Sequence, residues 1–194
     1  MSLIADFPVG LAVDWLSLAE ANIPEPTLKN WLLDTGSLTE RVQSACGEFS
    51  LRLLGQQTLE PHSTELSLLQ ANGQTSYQIR EIVLCGDEQP WVFARSVIPQ
   101  AVIDAELSNL GSEPLGKRLF NDKRFIRSEF QLCTLPYAQF PQHLAEQSSA
   151  QLKNNRKQNL WGRRSVFTFG AHHLIVAEVF LPGSPAYGQN NLQK

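Results

Sequence analysis

Along the chain, the spacing of apolar positions changes character near Gly47. Before it, apolar residues recur at helical spacing. Residues 12–21 set Trp15, Leu16 and Ala19 among polar neighbours, and Pro24 and Pro26 break the run. Thr27 is placed to cap a short helix carrying Leu28, Trp31 and Leu32. Ser37 and Glu40 make an S-x-x-E capping box that predicts a third helix over 38–45.

After Gly47 the period becomes two. Phe49, Leu51 and Leu53 alternate with Ser50 and Arg52, which predicts a strand. Residues 56–75 read as a polar loop with a helical turn at 64–70. Strands over 77–85 and 91–98 follow, joined by the hairpin loop Gly86-Asp87-Glu88-Gln89-Pro90. Pro99 ends the second of them. A short helix spans 101–110 and stops at Gly111, and Pro114 opens another through Phe120. Residues 125–135 are the next strand. The stretch 136–159, rich in Gln, Asn and Ser, reads as a surface loop. Strands over 163–169 and 174–181 turn at 170–173, and a polar tail follows Pro182.

Six strands with short antiparallel connections and helices around them predict an α+β fold. It is a single six-stranded antiparallel sheet with flanking helices, packed on one face and at an end. At 194 residues, 1–194 is one domain with no internal repeat.

Charge and cysteine content narrow the classes. A net charge of −3 carries no nucleic-acid footprint. The three cysteines, Cys46, Cys85 and Cys133, lack metal or redox spacing and read as reduced thiols of a cytoplasmic protein. The first residues lack a secretory pattern, and no apolar run is long enough for a membrane span. His62, His143, His172 and His173 have no metal-ligand spacing, so no metal is expected, and the last two fall in an exposed turn. A monomer is expected, since no apolar face stands out.

Three charged residues break the strand pattern. Glu178 sits in Leu174-Ile175-Val176-Ala177-Glu178-Val179-Phe180-Leu181, where every neighbour is apolar. A buried carboxylate needs a partner. Arg80 shares a face with Ile82 and Leu84, and Arg95 shares one with Trp91, Phe93 and Val97. The plain reading is a structural ion pair of Glu178 with Arg80 or Arg95. One carboxylate beside two arginines also leaves positive charge for an anionic ligand. The turn Gly111-Ser112-Glu113-Pro114-Leu115-Gly116 opens a helix whose free N–H groups could meet the same anion, or it is simply a helix start.

Five blocks, taken in order, resemble the chorismate pyruvate-lyase family. They are Arg80-Glu81-Ile82-Val83-Leu84-Cys85, Pro90-Trp91-Val92-Phe93-Ala94-Arg95, Pro114-Leu115-Gly116-Lys117-Arg118-Leu119-Phe120, Leu160-Trp161-Gly162-Arg163-Arg164-Ser165 and Glu178-Val179-Phe180-Leu181-Pro182-Gly183-Ser184-Pro185. The resemblance implies a cofactor-free carbon–oxygen lyase. It would convert chorismate to pyruvate and 4-hydroxybenzoate, a precursor of ubiquinone or plastoquinone. It also implies a ligand enclosed beneath helical flaps. Carried over, Arg80 and the Leu115 N–H hold the ligand carboxylate, and Glu178 holds the ring hydroxyl. The main-chain carbonyl of Leu38, where the family has methionine, reaches the same hydroxyl. Arg95 is the candidate cation for the departing enolpyruvate, and Arg163 and Arg164 read as structural. Two features are extra to compact members: the loop 136–159 and the tail 188–194. The rival is a small-molecule effector-binding domain of the same fold. Such domains are normally joined to a winged helix-turn-helix, for which this chain leaves no room.

Overall fold

The computed structural model describes residues 7–70, 75–108, 114–145 and 159–188. Its strands are β1 (Leu16–Ser17), β2 (Phe49–Thr58), β3 (Tyr77–Gly86), β4 (Gln89–Pro99), β5 (Ile126–Arg127), β6 (Gln131–Pro136), β7 (Asn159–Phe169) and β8 (His172–Phe180). The helices are α1 (Pro26–Leu32), α2 (Leu38–Ser44), α3 (Ser63–Leu69), α4 (Gln100–Val102), α5 (Leu115–Asn121) and α6 (Gln142–Ala145). The strands form one antiparallel sheet in the order β1-β6-β7-β8-β4-β3-β2, and β5 pairs with β7. The α+β class is as expected, but the sheet has eight strands, not six.

Two effects account for the difference. The strand expected over 125–135 divides into β5 and β6, with Ser128 between them bonded to Val166. The helix expected over 12–21 does not form. The Glu20 carboxylate takes hydrogen bonds from Ser17 N and Oγ at 2.9 and 2.6 Å, which turns the chain there. Val9 N and Gly10 N are drawn onto Glu81, so the segment before β1 runs extended across the sheet. These long-range bonds override a weak local propensity.

Other expectations shift by less. Ser37 caps α2 through Glu40 N at 3.4 Å. Glu25, not Thr27, stands at the cap of α1, and Pro114 caps α5 instead of opening it. β2 runs on through Gly55 to Thr58, into the expected loop. Phe7 lies where a Cβ at Gly55 would go, so the strand passes close under that ring. The β3–β4 connection is a two-residue turn with Asp87 and Glu88 at φ 50° and 64°, which suits the twist of the hairpin. Asp87 Oδ1 also accepts from Gly47 N and Glu48 N at 2.9 Å. His172 and His173 begin β8 and are half-buried, not exposed.

Helices cover both faces of the sheet, not one. On the front, α1 and α2 pack Leu28, Trp31, Leu32, Leu38 and Val42 against Ile82, Leu84, Val92, Ala94 and Phe180. Beside them α4, the π-helical turn Ile103–Leu107 and α5 cover Phe167 and Leu174. On the back, α3 lies on Ile79, Val97 and Ile175. The segment expected to be a surface loop from 136 onward begins with a 3-10 turn and α6, and it buries Tyr137, Phe140 and Leu144 on the back. The remainder of that stretch and most of the tail lie outside the described residues. Among the described residues no helix is long and apolar enough to cross a membrane.

Candidate functional site

A cavity lies between the front of the sheet and the pair α2 and α5. Its empty volume is about 530 Å³, counting space open to solvent. The walls are mainly apolar, with Ile82, Leu84, Phe130 and Val176 on the sheet side and Leu38, Leu115 and Leu119 above. Among the described residues its polar groups are few: Glu178, Arg163, Arg127, Ser96, Ser165 and Thr39. The two covering helices approach each other at Gly116, where a Cβ would sit in contact with Thr39 Oγ1 at 3.4 Å.

Strand register explains which charges meet. Arg80, Ser96, Val176 and Ser165 follow one another across β3, β4, β8 and β7, and so do Ile82, Ala94, Glu178 and Arg163. Side chains on such a row share one face. The partner of Glu178 is therefore Arg163, whose Nε stands 2.7 Å from Oε2. The expected ion pair with Arg80 or Arg95 is not formed. Among the described residues Glu178 Oε1 accepts no hydrogen bond, and Glu178 lines the cavity. That leaves one carboxylate oxygen for a ligand.

Arg163 is almost wholly buried and does more than neutralise Glu178. Its Nη1 donates to the carbonyls of Trp31, Leu32 and Asp34 at 3.2, 3.1 and 2.7 Å, satisfying the end of α1. Its guanidinium carbon lies 4.5 Å from the centre of the Phe130 ring. Arg127, carried by β5, lines the same cavity, also lies 4.5 Å from Phe130, and donates to Thr35 O at 3.0 Å. Burial pulls its pKa down, and the nearby Arg163 charge adds to that, while Glu178 and Asp34 oppose it.

Of the residues singled out in the sequence, Glu178, Leu38 and Leu115 line the cavity. Arg80 is on the same face, directly across from Ser96, which also lines it. Arg80 is buried, with Nη1 2.9 Å from Gln56 Oε1, and desolvation lowers its pKa. Arg95 is elsewhere. It pairs across the strands with Glu81 and points to the back of the sheet. There it grips Glu65 through Nε and Nη2 at 2.9 and 3.0 Å, and Glu81 through Nη1 at 3.0 Å. Burial works against its charge, but the two carboxylates outweigh that and raise its pKa. Arg95 therefore has no path to a ligand in the front cavity.

Sequence reasoning missed Arg127 and the cavity side of Arg163. The adjacent pair Arg163-Arg164 did hold a signal, because neighbours on a strand must face opposite ways. Arg164 faces the back, donates to Gln131 Oε1 at 2.8 Å and lies over the Trp15 ring. Gly162 before them is fixed by sterics, since a Cβ would meet Cys133 Sγ at 2.8 Å and Glu178 O at 2.9 Å. The tightness of that run reflects close strand packing next to the site.

A half-buried, half-satisfied carboxylate in an arginine-flanked apolar cavity defines a small-anion site of an enzyme or a sensor. Comparison with known proteins separates the two. The family model described as chorismate lyase matches residues 11–192. A probable chorismate pyruvate-lyase of Pseudoalteromonas atlantica is 42% identical over 193 residues, covering 97% of this chain and 96% of that protein. One from Shewanella sp. strain W3-18-1 is 36% identical, covering 92% and 93%. Among solved structures, PhnF of Mycobacterium smegmatis aligns with TM-score 0.57 at 13% identity, covering 77% of this chain and 65% of that one. Its effector domain alone aligns with TM-score 0.55 at 14% identity, covering 77% and 91%. Those two share the fold. The chain belongs to the chorismate lyase family, and it is a lyase.

Proposed function

We propose that this protein eliminates pyruvate from chorismate and releases 4-hydroxybenzoate for quinone synthesis, acting in the cytoplasm as a monomer without a cofactor. The observation that carries the reading is Glu178. It is the one carboxylate among the described residues lining the cavity, held by Arg163 and open on Oε1.

Chorismate has a carboxylate on C1, a hydroxyl on C4 and an enolpyruvyl ether on C3. Loss of the C3 ether oxygen and the C4 proton makes the ring aromatic, which drives the reaction downhill. The enzyme's task is then largely to orient the ring and exclude water. In this reading Arg80 and the Leu115 N–H hold the C1 carboxylate at one end. Glu178 and the Leu38 carbonyl hold the hydroxyl at the other. The open Oε1 of Glu178 would accept the hydroxyl proton and stand near C4–H, where a carboxylate can act as base. Main-chain contacts at Leu38 and Leu115 depend on the placement of α2 and α5 and not on side-chain identity. The family's methionine is replaceable by leucine for that reason.

Purified protein mixed with chorismate in EDTA should release 4-hydroxybenzoate and pyruvate in equal amounts, followed by chromatography. Tight 4-hydroxybenzoate binding without turnover would favour an effector-binding role. Neither binding nor turnover would leave only the fold in common.

A further inference from the structure

We propose that Arg127 is the cation that receives the second carboxylate of the substrate, the one carried away on the enolpyruvyl group. The assignment rests on the chorismate reading above and identifies a further residue for that reaction.

The argument starts from where the second carboxylate must lie. The ether on C3 neighbours the hydroxyl on C4, so the enolpyruvyl group sits at the Glu178 end of the cavity. Arg80 is then at the far end, and Arg95 is behind the sheet. Among the described residues the cations lining the cavity are Arg163 and Arg127, and Arg127 feels the charges of both Arg163 and Glu178. Arg163 spends Nε on Glu178 and Nη1 on three main-chain carbonyls and is only 1% exposed, which leaves Nη2 alone uncommitted among the described residues. Arg127 is differently placed. Among the described residues its single hydrogen bond is Nη2 to Thr35 O, so Nε and Nη1 remain for a ligand. Its guanidinium lies against Phe120 and Phe130, 5.1 and 4.5 Å from the ring centres, which fixes a planar fork at the cavity wall.

In the reaction the C3–O bond breaks and its electron pair leaves on the enolpyruvyl oxygen. The C4–H pair becomes the new ring π bond. The C4 proton ends on the methylene carbon of the enolate, giving the methyl group of pyruvate. Arg127 takes neither electrons nor proton. It holds the departing carboxylate and the oxyanion that grows beside it, where a fixed cation is worth most. The product ring lacks that carboxylate, so Arg127 serves substrate and transition state but not 4-hydroxybenzoate.

The test compares the wild type with R127Q and R127K, reading initial rates on chorismate and 4-hydroxybenzoate affinity by calorimetry. R127Q should lose about 10- to 100-fold in kcat/KM, the usual cost of one charge-assisted hydrogen bond. R127K should lose less, and both should bind 4-hydroxybenzoate within about twofold of the wild type. Equal losses in kcat/KM and product affinity would mean that Arg127 only latches Thr35 and the covering helices, and would overturn the assignment. So would an unchanged kcat/KM. If R127Q does not fold, R127K decides by the same comparison. A wild type that makes no pyruvate would overturn the chorismate reading itself, before any variant is made.

Discussion

Arg163 and Glu178 face each other across β7 and β8, with Nε 2.7 Å from Oε2, and the same guanidinium closes the end of α1 through three carbonyls. One side chain thus joins the cavity's carboxylate to the helix beside it. The pair is only partly a structural ion pair, because Glu178 keeps an oxygen open to the cavity.

Replacement of Glu178 separates those functions. Glu178→Gln keeps a hydrogen-bond acceptor for Arg163 but removes the charge. Pyruvate release should slow by about 100-fold or more, the usual contribution of a positioned acid–base group. Unchanged turnover in a coupled pyruvate assay would remove Glu178 from the chemistry.

Arg80→Ala should act on binding. The variant should raise KM and weaken 4-hydroxybenzoate binding by at least about tenfold, because both molecules carry the C1 carboxylate. Calorimetry with 4-hydroxybenzoate reads this directly. A variant that slows turnover at full product affinity would place Arg80 away from the ring carboxylate.

Arg95→Met should cost stability. It strands Glu65 and Glu81 in the back of the sheet, where breaking one side of a buried network costs about 3–5 kcal/mol. Urea titration should show the unfolding free energy falling by that amount, with a lower midpoint, while the folded protein keeps its kcat. Loss of kcat with an unchanged midpoint would return Arg95 to the catalytic set.

The thiols offer a test by pH. Burial pushes Cys133 from 9.0 up to about 12, and also raises Cys85. At pH 8 only about one Cys133 in 10⁴ is then a thiolate, against about one in ten for an ordinary thiol. An aromatic disulfide reagent should modify half-buried Cys46 in the native protein, and all three cysteines only in denaturant. The folded state holds the Cys133 proton more tightly than the unfolded chain. Its contribution to stability is therefore complete below pH 9 and is lost as pH rises towards 12. Rapid native labelling of three thiols would contradict this burial.

Much of the frame was readable from alternation. The β3–β4 hairpin, β8 and the Ser37 cap of α2 follow from local pattern, and Glu178 stood out because every neighbour is apolar. The pairing of charges was not readable. Alternation assigns Arg80 and Arg95 to faces within their own strands, but strand-to-strand register decides whether those faces coincide. Here Arg95 falls opposite Glu81, while Arg80 falls opposite Ser96. The second grip on Arg95 comes from Glu65 on α3, 30 residues away in sequence, on the helical turn expected within a polar loop, where nothing marks it as a partner of a strand residue. Arg127 was hidden for a similar reason, since β5 is two residues long and carries no period of its own.

The division of charge between the two faces also bears on how faithfully the chain assembles. Arg163 and Glu178 belong to the front, and Arg164, Arg95 and Glu81 to the back. A slip of one residue between β7 and β8 turns every side chain of the moved strand over. It would carry Glu178 into apolar packing without Arg163 and leave that arginine unpaired. Each alternative pairing thus buries lone charges, so these networks act as a proofreading device for the central strands before any ligand arrives.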